Sequence, residues 1–341
     1  MARKIDWESQ VGRRLKLRDL HVFFTVVKHG SMAKAAAQFG VSQPAVSELI
    51  SGLEHTLGVR LLDRSSKGVE ATIYGNALLK RSVAAFDELK QGIRDIEFLA
   101  DPTTGEVRIG CPESTASALL PPIVQKFSRQ YPRVVLHVEP IVTSTLELPA
   151  LRERRLDVVI AHLVRPLEQR ERDDLHVQTL YDDHAVVAAG TRSPWAHRRK
   201  IDLAELINET WILPPSNSWN NMIVAEAFRA RGLDMPKACL MTLSVNLRAG
   251  FLAIGPYITV LPNSVLRVNR FPLKILPIDL PVQPWPLVVI TLKNRTLSPI
   301  VQLFIDHLRA FTNSMAAGLR PEKGSASTKV SESAGTPRNK A

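Results

Sequence analysis

The side chains best placed to do chemistry in this chain are hydrogen-bonding groups at helix starts, not nucleophiles. Ser42, Gln43 and Ser47 fall on one face of a short segment, opposite the apolar positions Val46, Ile50, Leu53 and Leu57. Short polar side chains there, Gln above all, can bond base edges in a major groove or phosphate oxygens. The competing reading is a helical packing module whose polar face is only solvated. Arg64 and Lys67 sit near a polar, glycine-containing tip, where cations suit a phosphate backbone or a minor groove. A second set lies further along at strand-to-helix junctions: Ser114 with Thr115, Thr143 with Ser144, and Ser216 with Asn217. Each hydroxyl alone is more often a cap. Three such junctions, with free N–H groups and a favourable dipole, suit a small polar or anionic ligand such as a carboxylate.

Catalysis and metal binding are not expected. No P-loop, GxSxG, HExxH or GxGxxG stands in a supporting context, and His162, His184 and Asp182-Asp183 are scattered. Cys111 and Cys239 lie far apart without CxxC spacing, so two reduced core thiols are the default. A thiol sensor is the alternative, because Cys111 lies near a helix start that would favour thiolate.

The elements that must position these groups follow from periodicity. Leu17, Leu20, Phe23, Phe24 and Val27 make one helical stripe, which Gly30 ends. Ser31 caps a short helix over 32–39 that carries Lys34 and the small residues Ala33, Ala35, Ala36 and Ala37. Gly40 suits a tight turn, Ser42 caps a third helix, and Pro44 stands in its first turn. Helix, glycine turn and helix at this spacing let one helix enter a major groove. Residues 58–72 then read as two extended pieces, a basic wing beside that helix. Residues 76–101 read as one helix in which Leu79, Phe86, Ile93 and Ala100 recur every seven residues. Leu89 and Ile96 fill the alternate positions, with Ser82 as the polar member. Such a seam favours pairing with its own copy, and a dimer reads an approximately palindromic DNA site.

Pro102 and Gly105 punctuate the chain before a change of character. From 106 to 312 strands at 106–110, 134–138 and 157–161 alternate with helices near 119–131 and 145–154, which argues a parallel α/β sheet. A second set follows, and a helix over 298–311 closes it. Residues 1–16 form a basic leader, 17–75 the first domain, and 313–341 have the composition of a disordered tail. Lys and Arg number 44 against 33 Asp and Glu, a net +11 that favours a polyanionic partner. Residues 1–10 carry no hydrophobic signal core, and no apolar run reaches the roughly 20 residues of a membrane helix. A cytoplasmic protein without a membrane partner is expected.

The run LRDLHVFFTVVKHGSMAKAAAQFGVSQPAVSELISGLEHTLGVRLLDRSSKGVEATIYG resembles the N-terminal domain of LysR-type transcriptional regulators position by position. The resemblance implies an all-α winged helix-turn-helix on a long dimerising helix, joined to a two-lobed α/β domain like the periplasmic binding proteins. It implies DNA contacts at Ser31, Lys34, Ser42, Gln43, Pro44, Ser47, Arg64 and Lys67. It implies a cleft lined by Ser114, Thr115, Thr143, Ser144, Ser216 and Asn217. One lobe is expected over 106–162 and 268–312, the other over 163–267, because LRAGFLAIGPYITVLPNSVL is similar to the family's helix-to-strand stretch ending in LP. The function implied is transcription regulation, activating or dual, under a small-molecule effector. The effector class implied is a small carboxylate or a sugar-derived metabolite. Assembly as a homodimer or homotetramer and contact with RNA polymerase follow from the same resemblance, with no cofactor. A departure is Glu48, where many members place a basic residue; it either points aside or reads a cytosine amino group. A solute-binding protein without a regulatory role is the other class that the α/β half alone permits.

Overall fold

The computed structural model describes residues 12–66, 68–142, 147–163, 167–268 and 271–319. After the short α1 (Gly12–Arg14) come α2 (Leu17–His29), α3 (Met32–Phe39) and α4 (Gln43–Leu57). Their stripes close one core in which Phe23, Val26, Ala35, Val46 and Ile50 are fully buried. Gly40 makes the turn between α3 and α4 at φ +63°, donating its N–H to carbonyls of the preceding turn. Ser31 and Ser42 cap α3 and α4, accepting from Lys34 N and Ala45 N at 3.3 Å each. The wing is an antiparallel hairpin of β1 (Leu62–Ser65) and β2 (Gly68–Ala71). It passes through a Thr72 cap into α5 (Ile73–Ala100), a 28-residue helix. At Gly75 the helix lies so close to the Leu61 carbonyl that a Cβ would stand 2.1 Å from its oxygen.

The rest of the described chain forms two five-stranded sheets. The first holds β3 (Thr104–Cys111), β4 (Arg133–Pro140), β5 (Val158–His162), β6 (Leu175–Asp183) and β12 (Trp285–Leu292) in the order β4-β3-β5-β12-β6. The second holds β7 (Ala185–Gly190), β8 (Thr210–Leu213), β9 (Ala238–Met241), β10 (Tyr257–Pro262) and β11 (Leu273–Ile275) in the order β11-β7-β10-β8-β9. Around the first sheet lie α6 (Glu113–Ala118), α7 (Leu120–Gln130), α8 (Pro149–Arg152), α9 (Gln169–Arg172) and α13 (Pro299–Leu319). With the second go α10 (Trp219–Arg229), α11 (Val245–Ile254) and α12 (Asn263–Val268).

The strands expected to run parallel, β4, β3 and β5, do so, and later strands make the sheets mixed: β12 runs antiparallel to β5 and β6, and β7 antiparallel to β10 and β11. Three expectations need correction. The lobe boundaries move: β6 belongs to the first sheet and β11 to the second, so the chain crosses at Asp183–Ala185 and returns just before β12. The helix expected over 145–154 is only the four-residue α8, with 143–146 outside the described residues. Residues 313–319, expected in the tail, continue α13 to Leu319, and the rest of that expected tail, 320–341, lies outside the described residues. In α5, Leu79 and Phe86 pack partly on the N-terminal core, and Ser82 is buried with its hydroxyl donating to the Leu78 carbonyl. The first half of the seam is therefore engaged within its own chain, while Leu89, Ile93, Ile96 and Leu99 stay exposed.

Candidate nucleic-acid interface and effector cleft

One groove brings together Ser31, Lys34, Gln43, Ser47 and Arg64, between the starts of α3 and α4 and the wing. Arg64 reaches across it, its Nη1 donating to Ser47 Oγ at 3.2 Å. From the far side, Glu54 Oε1 accepts the Leu61 and Leu62 amides at 2.7 and 3.2 Å, fixing the base of the wing to α4. The groove thus presents hydrogen-bonding groups and two cations from three elements with set relative positions. Ser42 and Pro44 are exposed at the tip of α4, although the Ser42 oxygen is already engaged as a cap. Lys67 lies outside the described residues. Glu48 turns away from Gln43 and Ser47 and opens on a separate groove with Arg14, Lys16 and Arg18.

Between the two sheets lies a cavity of about 420 Å³. Ser114 lines it. Thr115 does not: its side chain is fully buried, with no hydrogen-bond partner for Oγ1 among the described residues. Thr143 and Ser144 lie outside the described residues. Ser216 and Asn217 are a correction, for they sit exposed in the turn before α10 while Pro214 and Asn220 form that wall. A hydroxyl-rich junction marks a helix start, yet only geometry decides which of its residues face the cleft.

The cavity's chemistry comes from residues that spacing did not single out. Arg248, on α11, is 4% exposed, and its guanidinium donates to three backbone carbonyls, those of Val260, Leu243 and Ser244. Burial drops its pKa to about 10, against the attraction of Glu113. The signal was present as a lone cation in the apolar run LRAGFLAI. His162 also lines the cavity, its Nε2 2.9 Å from Asp183 Oδ2. Asp183 further accepts from Tyr181, Ser264 and the His184 amide. Burial alone would raise its pKa, but His162, Ser264 and His184 outweigh that and hold it below the usual carboxylate value.

Cys111 corrects the thiolate idea. It is fully buried at the end of β3, and burial pushes its thiol up to about 12. At pH 8 its thiolate fraction is then about 10⁻⁴, so the exposed Cys239 is expected to react alone in the folded protein. Titration with a thiol reagent checks this; two thiols modified at similar rates without denaturant would contradict it. Among the described residues no group of three or more His, Cys, Asp or Glu could hold a metal ion, and no helix is long and apolar enough to cross a membrane.

Comparison with known proteins agrees with this geometry. Residues 17–76 match the bacterial regulatory helix-turn-helix protein, lysR family, and residues 100–313 match the LysR substrate binding domain. The chain belongs to the LysR family. Among curated relatives, the HTH-type transcriptional regulator GbpR of Azospirillum brasilense is 27% identical over 305 residues, 87% of this chain and 86% of that protein. The transcriptional dual regulator GltC of Bacillus subtilis is 26% identical over 87% of this chain and 97% of its own. Among solved structures, a cysteine-substituted full-length OxyR from Pseudomonas aeruginosa has the same fold, with a TM-score of 0.61 at 20% identity. It covers 86% of this chain and 95% of that one. This LysR-family protein is a DNA-binding transcriptional regulator with an effector-binding C-terminal domain.

Proposed function

We propose that this LysR-family regulator acts in the cytoplasm, by binding and not by catalysis, on an approximately palindromic promoter site. It answers there to a small anionic effector, a carboxylate or sugar-derived acid, held between its two lobes. The observation that carries the effector class is Arg248, a buried guanidinium on the cavity wall whose hydrogen bonds go to carbonyls alone. A buried cation without a hydrogen-bonded anion is costly, and a ligand carboxylate beside it would offset that cost. Ser114 supports the reading as a neutral hydroxyl on the same wall, and Thr143 and Ser144 belong to the proposal on their residue types alone.

On DNA, Gln43 and Ser47 read base edges; Ser31, Lys34, Ser42, Pro44, Arg64 and Lys67 fix the position on the backbone. Assembly as a homodimer, and further as a homotetramer, is supported by the exposed row Leu89, Ile93, Ile96 and Leu99 on α5. The effector binds one quaternary arrangement better than another and so shifts the spacing of the paired DNA-binding domains. The outcome is activation, or both signs at different sites, through contact with RNA polymerase.

The test is footprinting on the upstream intergenic DNA of the gene itself, against random DNA at fixed salt. An inverted repeat bound ~10³-fold or more over random DNA is expected. Arg64→Ala should weaken binding to both DNAs and lower the salt slope by about one. Gln43→Ala should cost about 1–3 kcal/mol on the specific site alone. Equal losses on both DNAs for both variants would remove the base-reading role of Gln43.

A further inference from the structure

In the cleft, the start of α11 already holds a carboxylate of the protein itself. Glu113, the first residue of α6 on the first lobe, extends its carboxylate to the N-terminus of α11 on the second. Its Oε2 accepts the Val245 amide at 2.7 Å. Its Oε1 accepts the Asn246 amide at 3.3 Å, the Ser244 hydroxyl at 3.3 Å and Asn246 Nδ2 at 2.6 Å. Four donors on one helix end converge on one carboxylate, in a direction the helix dipole favours. Glu113, Ser244 and Arg248 all line the cavity, so this carboxylate stands beside the buried guanidinium that the effector reading depends on. One unsatisfied group points the same way: Trp285, 3% exposed, is among the residues lining the cavity, and its indole N–H finds no acceptor among the described residues. The cavity therefore holds one more buried donor than Glu113 satisfies.

We infer that Glu113 is a built-in competitor of the effector: it bridges the lobes in the unliganded protein, and a ligand carboxylate binds by displacing it from the start of α11. The inference rests on the anionic-effector reading above. It has a consequence for specificity. A neutral ligand of the same shape leaves the Glu113 carboxylate in place, whereas an anion takes over its donors and gains Trp285. It also sets affinity, because only the fraction of molecules with Glu113 displaced can bind. If that fraction is about one in ten, removing the competitor raises apparent affinity about tenfold.

The experiment uses the full-length protein, with sodium malonate as the anionic probe and malonamide as its uncharged counterpart. Hydrogen exchange is followed at the Val245 and Asn246 amides in wild type, Glu113→Ala and Glu113→Gln. Binding of both probes is measured by calorimetry. The expected result has three parts: faster exchange at these amides in Glu113→Ala, slowed again by malonate but not malonamide; malonate affinity about tenfold above wild type; and an intermediate response in Glu113→Gln, which keeps the side-chain length. Unchanged exchange in a folded Glu113→Ala protein overturns the inference. So does equal or weaker malonate binding by that variant while the wild type binds malonate, and in that case the anionic cleft itself stands. Failure of malonate to bind either protein or to slow exchange overturns the anionic reading, and the inference with it.

Discussion

Asp87→Ala is expected to destabilise the chain by about 3–5 kcal/mol, because it removes one partner from a buried ionic network. Asp87 lies on α5 and takes both Nε and Nη2 of Arg295, at 2.7 and 3.1 Å, and Nη1 of Arg154 at 2.8 Å. Arg295 is 7% exposed and also reaches Asp157 Oδ1 at 2.9 Å and the Leu156 carbonyl at 2.6 Å. Arg94, about two turns further along α5, meets the same Asp157 oxygen at 3.3 Å. The network thus fastens the connecting helix to the first lobe at two points, and Arg154 takes a left-handed backbone (φ +60°) within it. Burial alone would raise the Asp87 carboxyl, but Arg295 and Arg154 together lower it below its usual value. Without Asp87, Arg295 keeps a buried charge with less compensation, while desolvation is unchanged. Urea unfolding measures the loss. The double replacement Asp87→Leu with Arg295→Met should recover only part of it, since the apolar pair carries no desolvation cost but Asp157 loses Arg295 and Arg154 loses Asp87. A loss under about 1 kcal/mol for Asp87→Ala would equate the network with exposed ion pairs. Because α5 also carries the DNA-binding domain, the single variant should further weaken the response of DNA binding to any cleft ligand.

Whether a residue was legible in sequence depended on whether its role was local. The caps at Ser31 and Ser42, the turn at Gly40 and the stripes of α2 and α4 are set by neighbours within four residues, and spacing reads such relations directly. The strand β6 escaped because LHVQTLYDD mixes exposed and buried positions irregularly, as a strand at the edge of a sheet can. Missing it displaced the first lobe crossing, since β6 is the strand that leads into the second lobe; the return moved because β11 pairs with β7 of the second sheet. Arg248 and Glu113 escaped for a different reason. In sequence each is a charge at or near a helix start, which solvation or capping explains. Their meaning lies in facing each other across 135 residues of chain, and no period carries that. Ser216 and Asn217 show the converse, because their composition was right for a helix start but both are exposed while Pro214 and Asn220 beside them line the cavity.

Asp183→Ala is the second change expected to cost about 3–5 kcal/mol, and it acts where the lobes join. Asp183 ends β6 at the first crossing and is 1% exposed. Its oxygens meet the Ser264 hydroxyl at 2.5 Å and amide at 3.2 Å, on the helix that follows β10. They also take the His184 amide at 2.8 Å and the Tyr181 hydroxyl at 3.1 Å, and lie 2.9 Å from His162 Nε2. Alanine would leave the buried Tyr181, Ser264 and His162 groups without this acceptor, at roughly 1–3 kcal/mol for each one that finds no water. Asp183→Asn keeps the volume and one acceptor oxygen, and should lose less. The carboxylate's lowered pKa fixes the direction of the pH effect. A group depressed in the folded state stabilises it fully above the unfolded value, near 3.8, and loses that contribution as pH falls through the folded pKa. Urea midpoints from pH 6 down to pH 2 should therefore fall more steeply for wild type than for Asp183→Asn, with the difference confined to the acid limb. Parallel curves would mean that the carboxylate titrates alike in both states and that the crossing is held by packing alone.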